Sequence, residues 1–371
     1  MNLDDLTVAV VGGGIGGLCA ATALAQRGAR VTVYEQAEAL TEVGAGLQIS
    51  ANGQTVLTAL GIVDGVPARA TVIPGTQMRD GRSDRLITTI PAPSAGPTWG
   101  IHRADLLALL VQAAERAGVT LTLNARRPPG AVSADVIVAA DGFQSTWRPG
   151  VEAPHSATFS GQVAWRAIVP WDGDAAAETQ LAMGSGAHVV TYPLRDGTAM
   201  NLVAIEERRG WTKEGWRHAG DPDDLKSRFA QFRGRAGETL AAVESVHLWA
   251  LHLRPVATTW QDGQVALLGD AAHPTLPFMA QGACLALEDA WALTASLSQA
   301  DTVAEGLHLY QARRHARAER VVSLARGNAW RFHMPRPWAW GAQLVLRLGS
   351  RPLARRLDWL YGYDVTRAYP M

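Results

Sequence analysis

The segment TVAVVGGGIGGLCAATALAQRGARVTVYE, which begins at Thr7, constrains the fold of this chain more than any other. A β-branched apolar run, a cluster of glycines, a stretch of small residues and a second β-branched run follow one another. This order predicts a strand, a tight turn, a helix and a second strand, with the regular elements over Thr7–Val11, Ile15–Gln26 and Arg30–Glu35. The chain therefore opens with a Rossmann-like βαβ unit.

The turn of this unit matches the pattern G-x-G-x-x-G at Gly12, Gly14 and Gly17. Glycine at these places permits a tight turn, the close approach of a pyrophosphate, and close packing of the helix on the strand. The helix N-terminus then presents N–H groups and a positive dipole to the phosphates. Glu35, at the end of the second strand, can accept a hydrogen bond from a ribose diol. These features predict a dinucleotide site, and both NAD and FAD remain open at this point.

The composition narrows the kind of partner. The chain has 371 residues, enough for two domains or for one large α/β body with an insertion. Its 34 basic and 34 acidic residues give zero net charge, which favours a small-molecule ligand and gives no support for a nucleic acid. Two cysteines, Cys19 and Cys284, are too few for a disulfide framework or a cysteine metal site, so we expect no metal.

The N-terminus and the hydropathy pattern bear on localisation. The first residues are acidic where a secretory signal would be basic, and no uninterrupted run of about 20 apolar residues occurs. We therefore expect a cytoplasmic protein without stable membrane insertion.

Two later segments make the match to a known family specific. VIVAADGFQSTWR contains D-G-x-x-S-x-x-R from Asp141 to Arg148, and GDAAHPTLPFMAQG follows an apolar run and begins with Gly-Asp. Together with the glycine turn, these motifs resemble the flavoprotein aromatic hydroxylases, which are single-component FAD monooxygenases. The stretches TEVGAGLQIS, IHRADLL and VAWRAIVP are similar to the branch that contains salicylate hydroxylase, 3-hydroxybenzoate 6-hydroxylase and 6-hydroxynicotinate 3-monooxygenase.

The resemblance implies an FAD cofactor, with NADH or NADPH as a transient co-substrate. Asp270 would hydrogen-bond the ribityl chain, and the helix that begins near Gly282 would aim its N-terminus at the pyrimidine edge of the flavin. A helix N-terminus stabilises the negative charge that reduced flavin carries there. Four further positions resemble cofactor contacts of the family: Arg103, Asp141, Pro277 and Ala283.

The resemblance also implies the fold class, an α/β fold like that of p-hydroxybenzoate hydroxylase. A Rossmann-like FAD-binding domain is expected to contain an antiparallel-sheet insertion that covers the substrate, and helices are expected at the C-terminus. The expected boundaries are 1–70, 98–157 and 262–300 for the FAD-binding domain, 71–97 and 158–261 for the substrate-binding domain, and 301–371 for the helical region. Short runs such as TFSGQVAWRAIVP and HVVTYPL, bounded by Gly, Pro or Asp, favour strands of that inserted sheet.

The segment GAHVVTYPL carries the candidate catalytic side chains. As a strand it would place His188, Val190 and Tyr192 on one face, because side chains alternate between faces. His188 and Tyr192 resemble the substrate-pocket His and Tyr of 3-hydroxybenzoate 6-hydroxylase, and Gln281 resembles the active-site Gln of that branch. The resemblance implies that His188 acts as a base towards a substrate phenol, for which a usual pKa of about 6.5 is suitable. The alternative is that His188 and Tyr192 only pack in a half-buried sheet.

Two other polar residues each allow two interpretations. For Arg166, in AWRAIVP, an ion pair at the surface or between sheets is favoured, and contact with a substrate carboxylate is the alternative. His273 follows the Gly-Asp turn and could either organise the loop or touch substrate, so we leave it out of the catalytic set.

The predicted function is hydroxylation of an aromatic or heteroaromatic phenol or acid by O2, through a C4a-hydroperoxyflavin. One alternative is hydroxylation of a larger biosynthetic ring, such as a quinolone, polyketide or quinone precursor. Another is a flavin-binding redox module without turnover. The expected partners are a small aromatic substrate and O2, without nucleic acid, and the resemblance favours a homodimer.

Overall fold

A computed structural model describes residues 1–40, 45–66, 68–172, 177–210, 218–335 and 350–371, and between 335 and 350 only residues 338, 341, 343 and 346. Thr41–Gly44, which belong to the TEVGAGLQIS stretch, lie outside the described residues.

The first sheet has the glycine-turn unit at its centre. Its spatial order is Gln261–Asp262, Val265–Leu267, Val136–Ala139, Thr7–Val11, Arg30–Tyr34 and Thr120–Thr122. All neighbouring strands are parallel except the outermost pair, Gln261–Asp262 with Val265–Leu267. The strand Val136–Ala139 is buried along its whole length, as expected for a parallel sheet covered on both faces. The predicted Rossmann-like parallel sheet is therefore confirmed.

The predicted elements of this unit differ from the observed ones only at their ends. The first helix covers Ile15–Ala25, and the second strand covers Arg30–Tyr34. The helix and the second strand each end one residue earlier than predicted, which is within the usual variation of assigned helix and strand ends.

The second sheet has eight strands and carries the candidate catalytic residues. Its order is His218–Gly220, Val246–Leu253, Thr158–Pro170, Ala199–Glu207, Ala187–Leu194, Thr179–Gly184, Gly75–Asp80 and Leu86–Pro91. Neighbours are antiparallel except Thr179–Gly184 with Gly75–Asp80. One face packs Trp165 and Val189 against Leu225 and Phe229 of a helical segment, so the residues that alternate with them face the other way.

A third sheet of three antiparallel strands was not predicted. Its order is Gly46–Ile49, Thr98–His102 and Ala70–Ile73. The segment 71–97 therefore contributes to two sheets. Its first residues belong to this small sheet, and its later strands belong to the eight-stranded sheet. The proposed domain boundaries remain a prediction.

Helices cover the parallel sheet and form most of the described C-terminal part. The helix Ile15–Ala25 packs against both Gly282–Gln299 and Arg103–Arg116. Further helices of the described residues are Ala51–Ala59, Arg148–Val151, Pro222–Arg228, Gly234–Ala241, Val303–Arg331, Ser350–Arg356, Asp358–Tyr361 and Val365–Ala368. In the part of the chain that the structure describes, no helix combines the length and the apolar character needed to cross a membrane.

Candidate active site

A cleft of about 2070 Å³ connects the glycine turn with the eight-stranded sheet. Its walls include the glycine turn, the loop that precedes the helix Gly282–Gln299, and the face of the sheet opposite Trp165. Pockets for a single small ligand usually measure roughly 300–1,000 Å³. The cleft is therefore large enough for a dinucleotide and a second molecule.

The glycine turn is shaped as the sequence pattern predicts. Gly12 has φ +109°, and a Cβ at Gly12 would lie 2.3 Å from the carbonyl oxygen of Ala140. A Cβ at Gly17 would lie 2.0 Å from the carbonyl oxygen of Gly12, so this residue permits close packing. Beside Gly14 the space is open to 4 Å, and this residue lines the cleft. The turn thus leaves backbone exposed where a pyrophosphate would approach.

Three carboxylates of the described residues line the cleft, and they differ in how many hydrogen bonds they accept from the protein. Glu35 accepts hydrogen bonds from the N–H of Gly13 at 2.7 Å and of Ala37 at 2.9 Å. Asp141 accepts the N–H of Thr146 at 2.7 Å through Oδ2, while its buried Oδ1 has no partner among the described residues. Asp270 accepts no hydrogen bond from the same set of residues.

Asp270 is the carboxylate best placed to receive a ligand. Burial raises the pKa of its carboxyl, and His273 and Arg103 act in the opposite direction. Arg103 lies at the start of the helix Arg103–Arg116, where burial and the nearby Arg166 lower its pKa to about 10. The guanidinium therefore stays charged at neutral pH. A carboxylate without protein donors is suited to accept hydroxyl groups of a ribityl chain.

The helix Gly282–Gln299 directs its N-terminus to the same cleft. Gln281 precedes the helix without capping it through its side chain, and Gly282 and Ala283 line the cleft. Pro277 lies in a short 3₁₀ turn, and Ala280 next to it adopts φ +52°, a left-handed conformation that favours glycine. The uncapped N–H groups of this helix can therefore face an anionic group in the cleft. The glycine turn, the orphaned carboxylate oxygens and this helix end together fit an FAD molecule.

The eight-stranded sheet presents its candidate residues as predicted. His188, Val190 and Tyr192 lie on one face and line the cleft. In the register of the sheet, Arg166 pairs with Val203, which in turn pairs with Val190, so Arg166 shares this face. Burial raises the pKa of the Tyr192 hydroxyl, and Arg166 partly offsets this effect. Tyr192 is therefore protonated at neutral pH and can donate a hydrogen bond.

The ion pair favoured for Arg166 from sequence is wrong. Its guanidinium lies 4.6 Å from the ring centroid of Trp249, and its buried Nε has no hydrogen-bond partner among the described residues. No salt bridge joins Arg166 to a carboxylate within that part of the chain. The strand Thr158–Pro170 runs between two others, and its alternation turns Arg166 into the cleft instead of towards the surface.

His188 belongs to a hydrogen-bonded chain that sequence reasoning missed. Its Nδ1 lies 2.7 Å from Nε2 of His333, and Nδ1 of His333 lies 3.1 Å from Oε1 of Glu207. Burial, followed by the effect of His333, holds the pKa of His188 well below 6.5. His188 is therefore neutral at neutral pH. No local signal in the sequence indicates this partner, because His333 follows the long helix Val303–Arg331.

The side chain of Gln281 is held by residues of another segment. Its Nε2 donates to Oγ of Ser50 and its Oε1 accepts from Nδ2 of Asn52, both at 2.9 Å. Asn52 also donates to the buried Glu288 at 2.6 Å. These bonds anchor the loop before the helix Gly282–Gln299, and direct catalysis by Gln281 remains a prediction.

His273 is fixed by a buried ionic network. Its Nε2 lies 2.5 Å from Asp289, which also pairs with Arg314 at 2.7 Å. Arg314 in turn pairs with Glu288 at 2.7 Å. The sequence left His273 between a loop role and a substrate role, and these contacts favour the loop role.

Known proteins resemble this chain over almost its whole length. Residues 114–325 match the family described as FAD binding domain, and residues 10–47 match the NAD(P)-binding Rossmann-like domain. A 3-amino-4-hydroxybenzoate 2-monooxygenase of Streptomyces platensis is 33% identical, and the match covers 96% of each chain. The 3-hydroxybenzoate 6-hydroxylase 1 of Aquipseudomonas alcaligenes is 32% identical, covering 98% of this chain and 99% of that protein. A salicylate hydroxylase substrate complex has a TM-score of 0.83 at 25% identity, covering 98% of this chain and 97% of that one.

The fold and the site define an FAD-binding oxidoreductase. The chain belongs to the FAD-dependent monooxygenases that hydroxylate aromatic compounds, with NADH or NADPH as electron donor. The predicted family, fold class, cofactors and reaction type are confirmed. The relatives are enzymes, which contradicts the alternative of a flavin-binding module without turnover. The cytoplasmic location, the homodimer and the lack of a nucleic-acid partner stay predictions.

Proposed function

We propose that the enzyme hydroxylates a hydroxylated benzoate, whose carboxylate pairs with Arg166 and whose phenol faces His188. The two relatives named above act on 3-amino-4-hydroxybenzoate and 3-hydroxybenzoate, which carry both groups. The observation that carries the proposal is the cation of Arg166 in the cleft. It has no carboxylate partner in the described chain, and the geometry of a guanidinium matches a carboxylate through two parallel hydrogen bonds.

The cofactor contacts are part of the proposal. Asp270 would accept hydrogen bonds from the ribityl chain, Glu35 from the ribose, and Gly12, Gly14 and Gly17 would surround the pyrophosphate. Arg103, Asp141, Pro277, Gly282 and Ala283 would complete the site. Bound FAD supplies the two-electron chemistry with NAD(P)H and O2.

The side chains of the sheet then prepare the substrate. His188 is neutral at neutral pH, so it can accept the phenol proton and make the ring more electron-rich. General base catalysis of this kind typically contributes about 10²–10⁴-fold in rate. The protonated Tyr192 would donate a hydrogen bond to the resulting phenolate, while Arg166 holds the carboxylate. The apolar rings of Phe278 and Phe332 against His188 keep water away from this position.

The test is anaerobic stopped-flow reduction of the bound FAD by NADH and by NADPH with different ligands. We expect 3-hydroxybenzoate and 3-amino-4-hydroxybenzoate to accelerate reduction strongly, and phenol and 3-aminophenol to have little effect. Replacement of Arg166→Met should raise the Kd of the acids about 10- to 100-fold, since charge-assisted hydrogen bonds contribute about 1.5–3 kcal/mol. The Kd of the phenols should barely change.

Arg166→Lys is the control that keeps the charge, and retained flavin absorbance shows that each variant binds its cofactor. Equal weakening of acids and phenols in Arg166→Met would remove the carboxylate contact from the proposal. Acceleration only by larger phenolic rings would favour a biosynthetic substrate.

A further inference from the structure

We propose that His188, His333 and Glu207 form a proton relay that carries the phenol proton of the substrate from the cleft to solvent. In this relay His188 is the catalytic residue, and His333 and Glu207 act through it. The relay rests on the proposed function, because it requires a phenol opposite His188.

The three groups connect the interior of the protein with its surface. Nδ1 of His188 and Nε2 of His333 are 2.7 Å apart, and Nδ1 of His333 is 3.1 Å from Oε1 of Glu207. His188 is 1% exposed and lines the cleft, whereas the side chain of Glu207 is 57% exposed. Both distances are within hydrogen-bond range, so a proton has an unbroken path.

The chemistry of the three groups sets the direction of transfer. A carboxylate only accepts, so Nδ1–H of His333 donates to Glu207 and its Nε2 keeps a lone pair. Nδ1–H of His188 donates to that lone pair, which leaves Nε2 of His188 unprotonated. No described residue forms a hydrogen bond with Nε2 of His188. This nitrogen is therefore available to a ligand in the cleft.

The imidazole rings of His188 and His333 have few charged neighbours. Phe278 and Phe332 lie with ring centroids 5.5 and 5.4 Å from that of His188. Gln162 Nε2 lies 3.3 Å from both Nδ1 of His333 and the carbonyl oxygen of Ala329. Among the described residues, Glu207 is the one carboxylate bonded to either ring. Burial lowers the pKa of both histidines, and Glu207 opposes this effect at His333, so both rings are neutral before a substrate proton arrives.

The proton balance closes without any redox change. The phenol O–H bond breaks and its proton binds Nε2 of His188, while the proton on Nδ1 moves to Nε2 of His333. The proton on Nδ1 of His333 moves to Glu207 and from there to water. One proton thus leaves the phenol and one appears in solvent. The reverse passage reprotonates the product and restores the starting tautomers.

The test follows the proton directly in the oxidised holoenzyme. Stopped-flow mixing with 3-hydroxybenzoate in weakly buffered solution would record phenolate formation by ultraviolet absorbance and proton release by a pH indicator. In the wild type we expect both signals to rise together. Replacing His333→Gln keeps a hydrogen-bonding side chain that cannot relay a proton. It should slow both signals roughly 10-fold or more and make them depend on buffer concentration.

Variants of the surface group supply an independent test, since they should not disturb the interior. Glu207→Gln should slow proton release and Glu207→Asp should restore it. Glu244→Gln, the same change at an exposed glutamate of the same chain, should leave release unchanged. Flavin absorbance and the ligand Kd establish that each variant still binds both molecules.

The outcomes separate the two proposals. Wild-type rates of phenolate formation in both His333→Gln and Glu207→Gln would overturn the relay and leave His188 as the base. Binding of 3-hydroxybenzoate without phenolate formation in the wild type would contradict the base role itself, and the relay with it.

Discussion

His188 and His273 are both 1% exposed, but each belongs to a different hydrogen-bonded network. The two networks lead to different parts of the molecule. His273 leads through Asp289 and Arg314 to Glu288, and all three of those side chains are fully buried. His188 faces the cleft on one side and leads through His333 to the exposed Glu207 on the other. Burial alone therefore does not indicate the role of a titratable residue. We call the network of His273 closed, because none of its four residues lines the cleft, and the network of His188 open, because it joins the cleft to the surface. The closed network supports stability, whereas the open one has the connection that proton transfer requires.

The charges in the closed network determine its energetics. Burial would raise the pKa of Asp289, but His273 and Arg314 outweigh it and lower that pKa. The pKa of Glu288 is lowered in the same way, with burial opposed by Arg314 and Arg317. Both carboxylates are therefore ionised in the folded protein and depend on their cations. In the open network the imidazoles are neutral, so removing one leaves no buried charge.

The largest expected effect is on catalysis in the open network. His188→Gln should lower hydroxylation of a bound phenol about 10²–10⁴-fold, because the base is lost. Oxidation of NAD(P)H should continue and release hydrogen peroxide. The measurement compares the hydrogen peroxide formed with the hydroxylated product, which is quantified by chromatography. His273→Gln is the matched control and should retain coupled hydroxylation in the molecules that fold. Hydroxylation by His188→Gln at the wild-type rate would remove the base from the mechanism.

The next effect is on stability in the closed network. Arg314→Met removes a cation from two buried carboxylates, and breaking one side of a buried ion pair usually costs about 3–5 kcal/mol. Urea denaturation of the holoenzyme should show a loss of this size in the free energy of unfolding. Arg367→Met is a control, since Arg367 pairs with Asp364 at an exposed position and should change stability by less than about 1 kcal/mol. Equal losses of unfolding free energy in Arg314→Met and Arg367→Met would contradict a stabilising role of the closed network.

The smallest expected effect is on the pH dependence of stability, which differs between the two networks. The folded-state pKa of His188 is lowered, so its contribution to stability is complete above its usual pKa of about 6.5 and is lost as the pH falls below that value. The slope is at most about 1.4 kcal/mol per pH unit for this residue. His188→Gln should flatten the fall in stability between pH 7 and pH 5, within roughly that limit.

The carboxylates of the closed network, Glu288 and Asp289, affect stability at lower pH than His188 does. Their lowered pKa values give a contribution that is complete above the usual carboxyl range near pH 4 and is lost below it. Urea titrations from pH 7 to pH 3 would record both ranges. An unchanged slope between pH 7 and pH 5 in His188→Gln would show that folding does not lower the pKa of His188.

The sequence by itself determined the features that depend on consecutive residues. The glycine turn requires φ values and close contacts that Gly12 and Gly17 supply locally, and strand alternation is enough to place His188 and Tyr192 on one face. The order of the motifs along the chain identified the family, the cofactor and the reaction type.

Tertiary structure alone decided which side chains meet. His333 is 145 residues from its partner His188, and Gln281 is 231 residues from Ser50, so no local pattern reports either contact. The ion pair predicted for Arg166 is wrong because the partners of this residue depend on which strands flank Thr158–Pro170, and the sequence of one strand does not indicate its neighbours. Local sequence fixes backbone conformation and periodicity, whereas the charge environment of a side chain depends on segments that only folding brings together.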